Sequence, residues 1–247
     1  MDLPKFKGKL FVPPDYDLPE VDFLKEDFGR EVNKEVQVKY KEFHVINKVR
    51  YSDSDNYLKG STPFYVVAVN EFIRSEGLRT ATPSDLEAIL RTKVLNLRGF
   101  YEDSALVLRS VNGQNQYLSI KLFEDIKLRH PQLNLPIVIL LNGLDLVKDQ
   151  DSLYGLSFKL REDATLIYAP ILNEEKGNFS AEDIDEKTGL PKNLKGGNRI
   201  LYTIKEGLAR LRLCRALGLR SWDVGLDGSD GEGRVIIVTG EINQRIF

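Results

Sequence analysis

The chain has one cysteine and two histidines in 247 residues. A single thiol excludes an intramolecular disulfide, and two imidazoles exclude a histidine-rich zinc site. The runs Cys-x-x-Cys, His-Glu-x-x-His, Gly-x-Ser-x-Gly and Gly-x-x-x-x-Gly-Lys-Ser/Thr are all missing. The redox, metalloprotease, hydrolase and phosphate-loop chemistries that those spacings serve therefore lose their sequence support. Charge of one sign is also scarce, because 35 Lys and Arg against 37 Asp and Glu leave a formal charge of −2. That balance argues against a basic nucleic-acid coat and against an acidic tail protein. Long apolar runs are missing too. The longest, 135–141, contains Pro136 and is too short to cross a bilayer. Met1 to Lys5 lacks the charged start and apolar run of a secretory signal. With the lone Cys214, these features lead us to expect a cytoplasmic protein with no membrane partner.

What is present describes a globular chain, 42% hydrophobic and 29% charged. Residues 1–35 read as an extended arm, since Pro4, Pro13, Pro14 and Pro19 interrupt any helix or central strand. The arm is rich in aromatics (Phe6, Phe11, Tyr16, Phe23, Phe28), groups that are costly to leave in water. It is expected to lie on its own domain or on a partner. Residues 36–247 are expected to form a single α+β domain, because strands and helices do not alternate regularly. Within it, 36–51 reads as a β-branched and aromatic strand. Thr62-Pro63 and Thr82-Pro83 each offer a hydroxyl cap and a first-turn proline, so helices are expected over 63–76 and 83–95. Strands are expected at 105–108 and 137–141, an amphipathic helix over 116–129, and a hairpin from 156–160 and 164–169. Residues 173–198, with six acids and four lysines, read as a long polar surface loop. A helix over 203–219 and a strand over 234–239 complete the expected fold.

Four patterns carry chemistry. Asn142-Gly143-Leu144-Asp145 approaches the guanine-reading Asn-Lys-x-Asp element of small GTPases, but Gly143 stands where the lysine belongs and the phosphate loop is missing. Asn-Gly is also a strong two-residue hairpin signal, which predicts that 137–141 and 144–147 pair. Asp223, Asp227, Asp230 and Glu232, in a Gly-rich stretch, could hold a hard divalent cation through oxygen ligands; no other cofactor is suggested. On the expected helix 203–219, Arg212 and Arg215 share an apolar stripe with Leu201, Ile204, Leu208, Leu211 and Leu219. Arginines placed there need an anion, either a carboxylate from the core or the acids just downstream, or a bound ligand. Last, Lys39, Tyr40, Lys41, Phe43, Lys48 and Arg50 interleave basic and aromatic groups on the expected strand, a composition suited to stacking bases and neutralising phosphates.

His44 and His130 have no nucleophile spaced to form a catalytic pair with them, which leans the expectation away from an enzyme. The leading expectation is a non-catalytic interaction or structural protein that engages a protein partner or another copy through its arm or a sheet edge. The alternatives are a nucleic-acid-associated protein using residues 39–51, and a carboxylate–metal enzyme on an anionic substrate held by Arg212 and Arg215.

Overall fold

The computed structural model describes residues 21–174, 176–222 and 225–239. The first elements correct the expected arm. Residues 1–20 lie outside the described residues, whereas 21–35 form strand β1 (Val21–Phe23) and most of helix α1 (Glu26–Tyr40). Phe28, Val32, Val36 and Tyr40 recur every four residues and are all buried, so one helical face faces the core. The expected strand over 36–51 is corrected by the same pattern. Its first part ends α1, and the remainder forms the short helix α2 (His44–Asn47) and strand β2 (Arg50–Ser52), which pairs with β3 (Tyr57–Lys59).

Helices α3 (Pro63–Ile73) and α4 (Pro83–Thr92) start as expected. Thr62 Oγ1 accepts from the Tyr65 amide at 3.1 Å, and Thr82 with Asp85 forms a reciprocal capping box. Between them lies β4 (Leu78–Thr80). α3 is buried nearly all round, in keeping with its uninterrupted apolar sequence.

Strand β5 (Tyr101–Leu108) is buried along its full length. Helix α5 (Gln116–Arg129) follows, then β6 (Ile137–Leu140), β7 (Leu144–Lys148), β8 (Leu156–Leu160) and β9 (Leu166–Tyr168). Neither expected hairpin forms. β6 pairs with β5 and β9, while β7 pairs with β8, so Asn142-Gly143 makes a single helical turn between two separate sheets. Gly143 is required there by close approach, since a Cβ would lie 2.8 Å from the Ala164 Cα.

The segment 173–198 is more ordered than a polar loop. It contains strand β10 (Lys176–Phe179), and Arg199 at its end donates two hydrogen bonds to the Glu87 carboxylate of α4. Beyond it the expected helix over 203–219 is replaced by β11 (Arg199–Thr203), β12 (Leu208–Leu213) and β13 (Leu219–Ser221). In Leu208-Ala-Arg-Leu-Arg-Leu the apolar residues fit a period of two as well as a helical one, and Gly207 turns the chain before them at φ +79°. Last come β14 (Gly233–Arg234) and β15 (Ile236–Thr239).

These strands form an eight-stranded sheet of order β10-β11-β13-β12-β5-β6-β9, with β14 alongside β5, and a three-stranded sheet β1-β15-β4. Together with the helices they make the mixed α+β fold expected from the sequence. β5 and β6 feed two cores by strict alternation. Leu106, Leu108, Ile137 and Ile139 meet α1, α3 and α5, whereas Ala105, Val107, Val138 and Leu140 meet α4 and the 173–198 segment.

The Arg199–Glu87 pair is buried at both ends, so removing one partner strands a charge. Glu87→Ala is expected to lower unfolding stability by about 3–5 kcal/mol in a denaturant titration, and the double substitution Glu87→Leu with Arg199→Leu by less. A single-variant loss below about 1 kcal/mol would show that the pair does not anchor this segment.

Candidate functional site

Register determines which side chains share a face of the large sheet. Lys176 of β10 stands opposite Tyr202 of β11, Tyr202 beside Arg220 of β13, Arg220 opposite Arg212 of β12, and Arg212 opposite Asp103 of β5. Partners in register project to the same side, so these five residues form one row across the sheet. The Lys176 ammonium lies 5.0 Å and the Arg220 guanidinium 5.9 Å from the Tyr202 ring centroid. The half-exposed Trp222 sits 6.3 Å from Tyr202, centroid to centroid. Arg220 Nε is buried without a hydrogen-bond partner.

At the β5 end the row enters a recess of about 360 Å³ under residues 225–232, which cross it as a Gly-rich strap. Tyr101 forms the floor. Two guanidinium groups lie against its ring, Arg212 at 4.8 Å and Arg210 at 5.6 Å. Arg210 Nε is 3.4 Å from the fully buried Asp103 carboxylate, and its Nη1 donates to the Gly228 carbonyl of the strap. The strap is seated by hydroxyl contacts. Ser229 Oγ accepts from the Ser61 amide at 3.1 Å, and the Asp230 amide donates to the Tyr101 hydroxyl at 3.0 Å. The glycines permit this approach, since a Cβ on Gly60, at φ +103°, would meet Ser229 Oγ at 2.4 Å. Burial raises the Tyr101 phenol above its ordinary range, and the Asp103 charge adds to it.

Beneath this site Glu102 points to the opposite side of β5. Its Oε1 accepts from the Ile236 amide at 3.0 Å, while Oε2 is buried without a hydrogen-bond partner. It lines a small cavity of about 10 Å³ with Arg234 and Phe100. The Arg234 guanidinium is 4.3 Å from the ring centroids of both Tyr57 and Phe100. Burial pushes the Glu102 carboxyl well above the usual carboxylate range, with the Ile236 amide and Arg234 only partly offsetting it.

The residues singled out from sequence are distributed differently from expectation. Arg212 belongs to the row, but Arg215 lies beyond the end of β12, where its guanidinium binds Asp230 at 2.6 Å and also pairs with Glu232. The two arginines therefore do not share a helical stripe. Asp223 lies outside the described residues. Asp227 turns away from Asp230 and Glu232 to pair with Lys48, and it lies 3.7 Å from His44 Nε2. Burial alone would raise its carboxyl; the Lys48 ammonium outweighs that and holds it below the ordinary range. Among the described residues, no three His, Cys, Asp or Glu side chains converge as a metal-binding group.

The expected basic-aromatic strand is corrected to α1, α2 and β2, which disperses its residues. Lys39 pairs with Glu71, and the buried Tyr40 donates to the same carboxylate at 2.6 Å. Lys41 is exposed; Phe43 packs between Tyr40 and Lys148. Arg50 donates to the Asn47 carbonyl at 3.3 Å. Lys48 and Arg50 line a second recess of about 500 Å³ on the far side of the strap, with His44 and Asn47. Sequence reasoning missed Lys176, Tyr202, Arg220 and Trp222; residues 199–220 carry six basic residues against one acid, a local excess that includes Arg220 but gives no signal for Lys176 or Trp222. No family model matches the chain, and no curated protein or solved structure matches it either.

Glu102 yields a pH-dependent prediction. A carboxyl raised in the folded state binds more protons than in the unfolded chain, so it costs nothing below the unfolded pKa of 4.5. The cost grows as pH rises from there toward the folded value. Glu102→Gln is therefore expected to stabilise the protein at pH 7–8, with the gain shrinking to nil near pH 4 in denaturant titrations. An equal gain at both ends would place its origin outside this ionisation.

Proposed function

We propose that the protein binds single-stranded nucleic acid along the Lys176–Tyr202–Arg220–Arg212 row. The observation that carries this reading is the register itself, which sets Arg212 directly opposite Arg220 and continues the line through Tyr202 to Lys176. Like charges directly opposed across strands repel; Asp103 stands opposite Arg212 on its other side, so Arg220 and Lys176 are the cations of the row that a polyanion would neutralise. Half-buried Tyr202 and half-exposed Trp222 present ring faces next to those cations. Aromatic faces flanked by phosphate-neutralising groups are how sheet surfaces take unstacked bases, with little sequence preference. Three inter-strand steps separate Lys176 from Arg212, about 14 Å, so the row follows a short extended segment and not a single ion. The formal charge of −2 concerns the whole chain, whereas electrostatic footprints are local.

The expectation of a protein partner engaged through the N-terminal arm or a sheet edge has one supporting feature. β9 is an edge of the large sheet, and its Tyr168 is half exposed. An edge strand offers unpaired backbone groups to an added strand. This second reading expects deletion of residues 1–20, or Tyr168→Lys, to change assembly state in light scattering. Unchanged assembly in both variants would remove it.

For the nucleic-acid reading, Trp222→Ala and Tyr202→Ala are each expected to weaken binding of a short single-stranded oligonucleotide by about 1–3 kcal/mol in fluorescence anisotropy. Arg220→Met is expected to reduce the slope of log affinity against log salt by about one. Binding that is unaffected by all three substitutions would end this assignment.

A further inference from the structure

Away from the large sheet, a polar groove of about 470 Å³ runs between α1 and β2. We infer that this groove binds an extended peptide segment carrying one acidic side chain, its backbone added to the outer edge of β2 and its carboxylate on Arg50. The site is separate from the nucleic-acid row and stands whether or not the row binds a strand.

β2 has β3 on one side and no described strand on the other. Tyr51 stands opposite Leu58, and the Leu58 amide donates to the Leu24 carbonyl at 3.2 Å, away from β2. Opposed residues of an antiparallel pair either exchange both backbone bonds or both turn outward. The Tyr51 amide and carbonyl therefore face away from β3, and no described residue bonds to either. Arg50 and Tyr51 project to opposite faces of β2 yet both line the groove, so it follows the edge of the strand. An edge with free backbone groups takes a peptide by strand addition.

The facing wall supplies carboxamides. Asn33 and Gln37 lie one turn apart on α1, and Asn47 of α2 completes the wall. Asn33 Oδ1 accepts from the Tyr65 hydroxyl at 2.9 Å, which leaves its Nδ2 as a donor. Asn47 Nδ2 donates to the Lys41 carbonyl at 2.7 Å, which leaves its Oδ1 as an acceptor. The Gln37 carboxamide bonds to no described residue and offers both. Donors and acceptors on both walls suit a peptide backbone, which carries one of each per residue. Charge selects the side chain. Arg50 is exposed, spends only its Nε on the Asn47 carbonyl, and has no carboxylate partner among the described residues. Lys48 adds no net charge beside it, because Asp227 pairs with it. One unpaired guanidinium calls for one carboxylate, held edge-on by its two Nη groups. Past Asn47 and Arg50 the groove continues into the recess beside His44. That end is open, so an internal side chain supplies the carboxylate, not a chain terminus.

The test presents the immobilised full chain with pooled heptapeptides, blocked at both ends and random except for a central Asp, Asn or Lys. The Asp pool is expected to be retained about tenfold better than the Asn pool, and the Lys pool least. Arg50→Gln is expected to equalise the Asp and Asn pools while both still bind. Gln37→Ala, which removes a side chain without a partner, is expected to lower retention of all three pools. Trp222→Ala is expected to change none of them, which separates the groove from the nucleic-acid row. A further measurement needs no variant. For one peptide recovered from the Asp pool, methylating each backbone nitrogen in turn should abolish binding at alternate positions, the signature of a strand paired along one edge. Equal retention of the Asp and Asn pools by the unmodified protein overturns the inference. So does an Asp preference that survives Arg50→Gln or falls with Trp222→Ala, since the peptide then lies elsewhere. Tolerance of methylation at every position excludes strand addition.

Discussion

Strand β5 has to satisfy two incompatible environments within eight buried residues, and the rest of the structure is arranged around that demand. Its C-terminal half is apolar on both sides and joins the two cores. Its N-terminal half carries Tyr101, Glu102, Asp103 and Ser104 into the same depth. Buried polar and charged groups are tolerable only when bonded, and each of these recruits a partner from far along the chain. Asp103 meets Arg210, Glu102 meets the Ile236 amide, Ser104 bonds the Leu211 carbonyl, and Tyr101 seats the strap. The polar end of one strand thus positions β12, β15 and residues 225–232 together.

This arrangement also explains the charge distribution. Acids and bases nearly cancel in the whole chain, yet the strap holds Asp227, Asp230 and Glu232, while the sheet beside it holds Arg210, Arg212 and Arg220. The strap's acids face outward to Lys48 and Arg215. The sheet cations lie instead against rings, Arg210 and Arg212 on Tyr101 and Arg220 on Tyr202. Asp103 offsets Arg210 within the sheet, whereas the ring face of Tyr202 holds Arg220 without neutralising it.

Much of the fold was legible where local signals were strong and tertiary contacts agreed with them. Thr62-Pro63 and Thr82-Pro83 mark helix starts whose caps form as expected, and the doubly apolar runs of β5 and β6 are buried on both sides. α1 was hidden because the prolines before residue 20 suggested an arm, and because β-branched Val36 and Val38 imitate a strand. The four-residue spacing from Phe28 to Tyr40 was the better guide. The strands from 199 to 221 were hidden because their leucines fit both periodicities. Of the site, Arg212 was visible as an arginine among apolar residues, and the ion pairing of Arg215 with downstream acids was foreseeable. The row was not, since it depends on register between strands, and the strap's tie from Asp227 to Lys48 joins residues 179 positions apart.

The three-stranded sheet has its own temporal consequence. β15, the last described strand to leave the ribosome, is the middle strand between β1 and β4, which are made far earlier. During synthesis those two early strands wait without their shared neighbour, exposing backbone groups and the apolar residues Val21 and Leu78 that β15 later covers. Glu102 likewise waits for the Ile236 amide. The three-stranded sheet therefore closes only after all the other described strands have been made, and a nascent chain stalled before residue 236 leaves open the kind of sheet edge that chaperones cover.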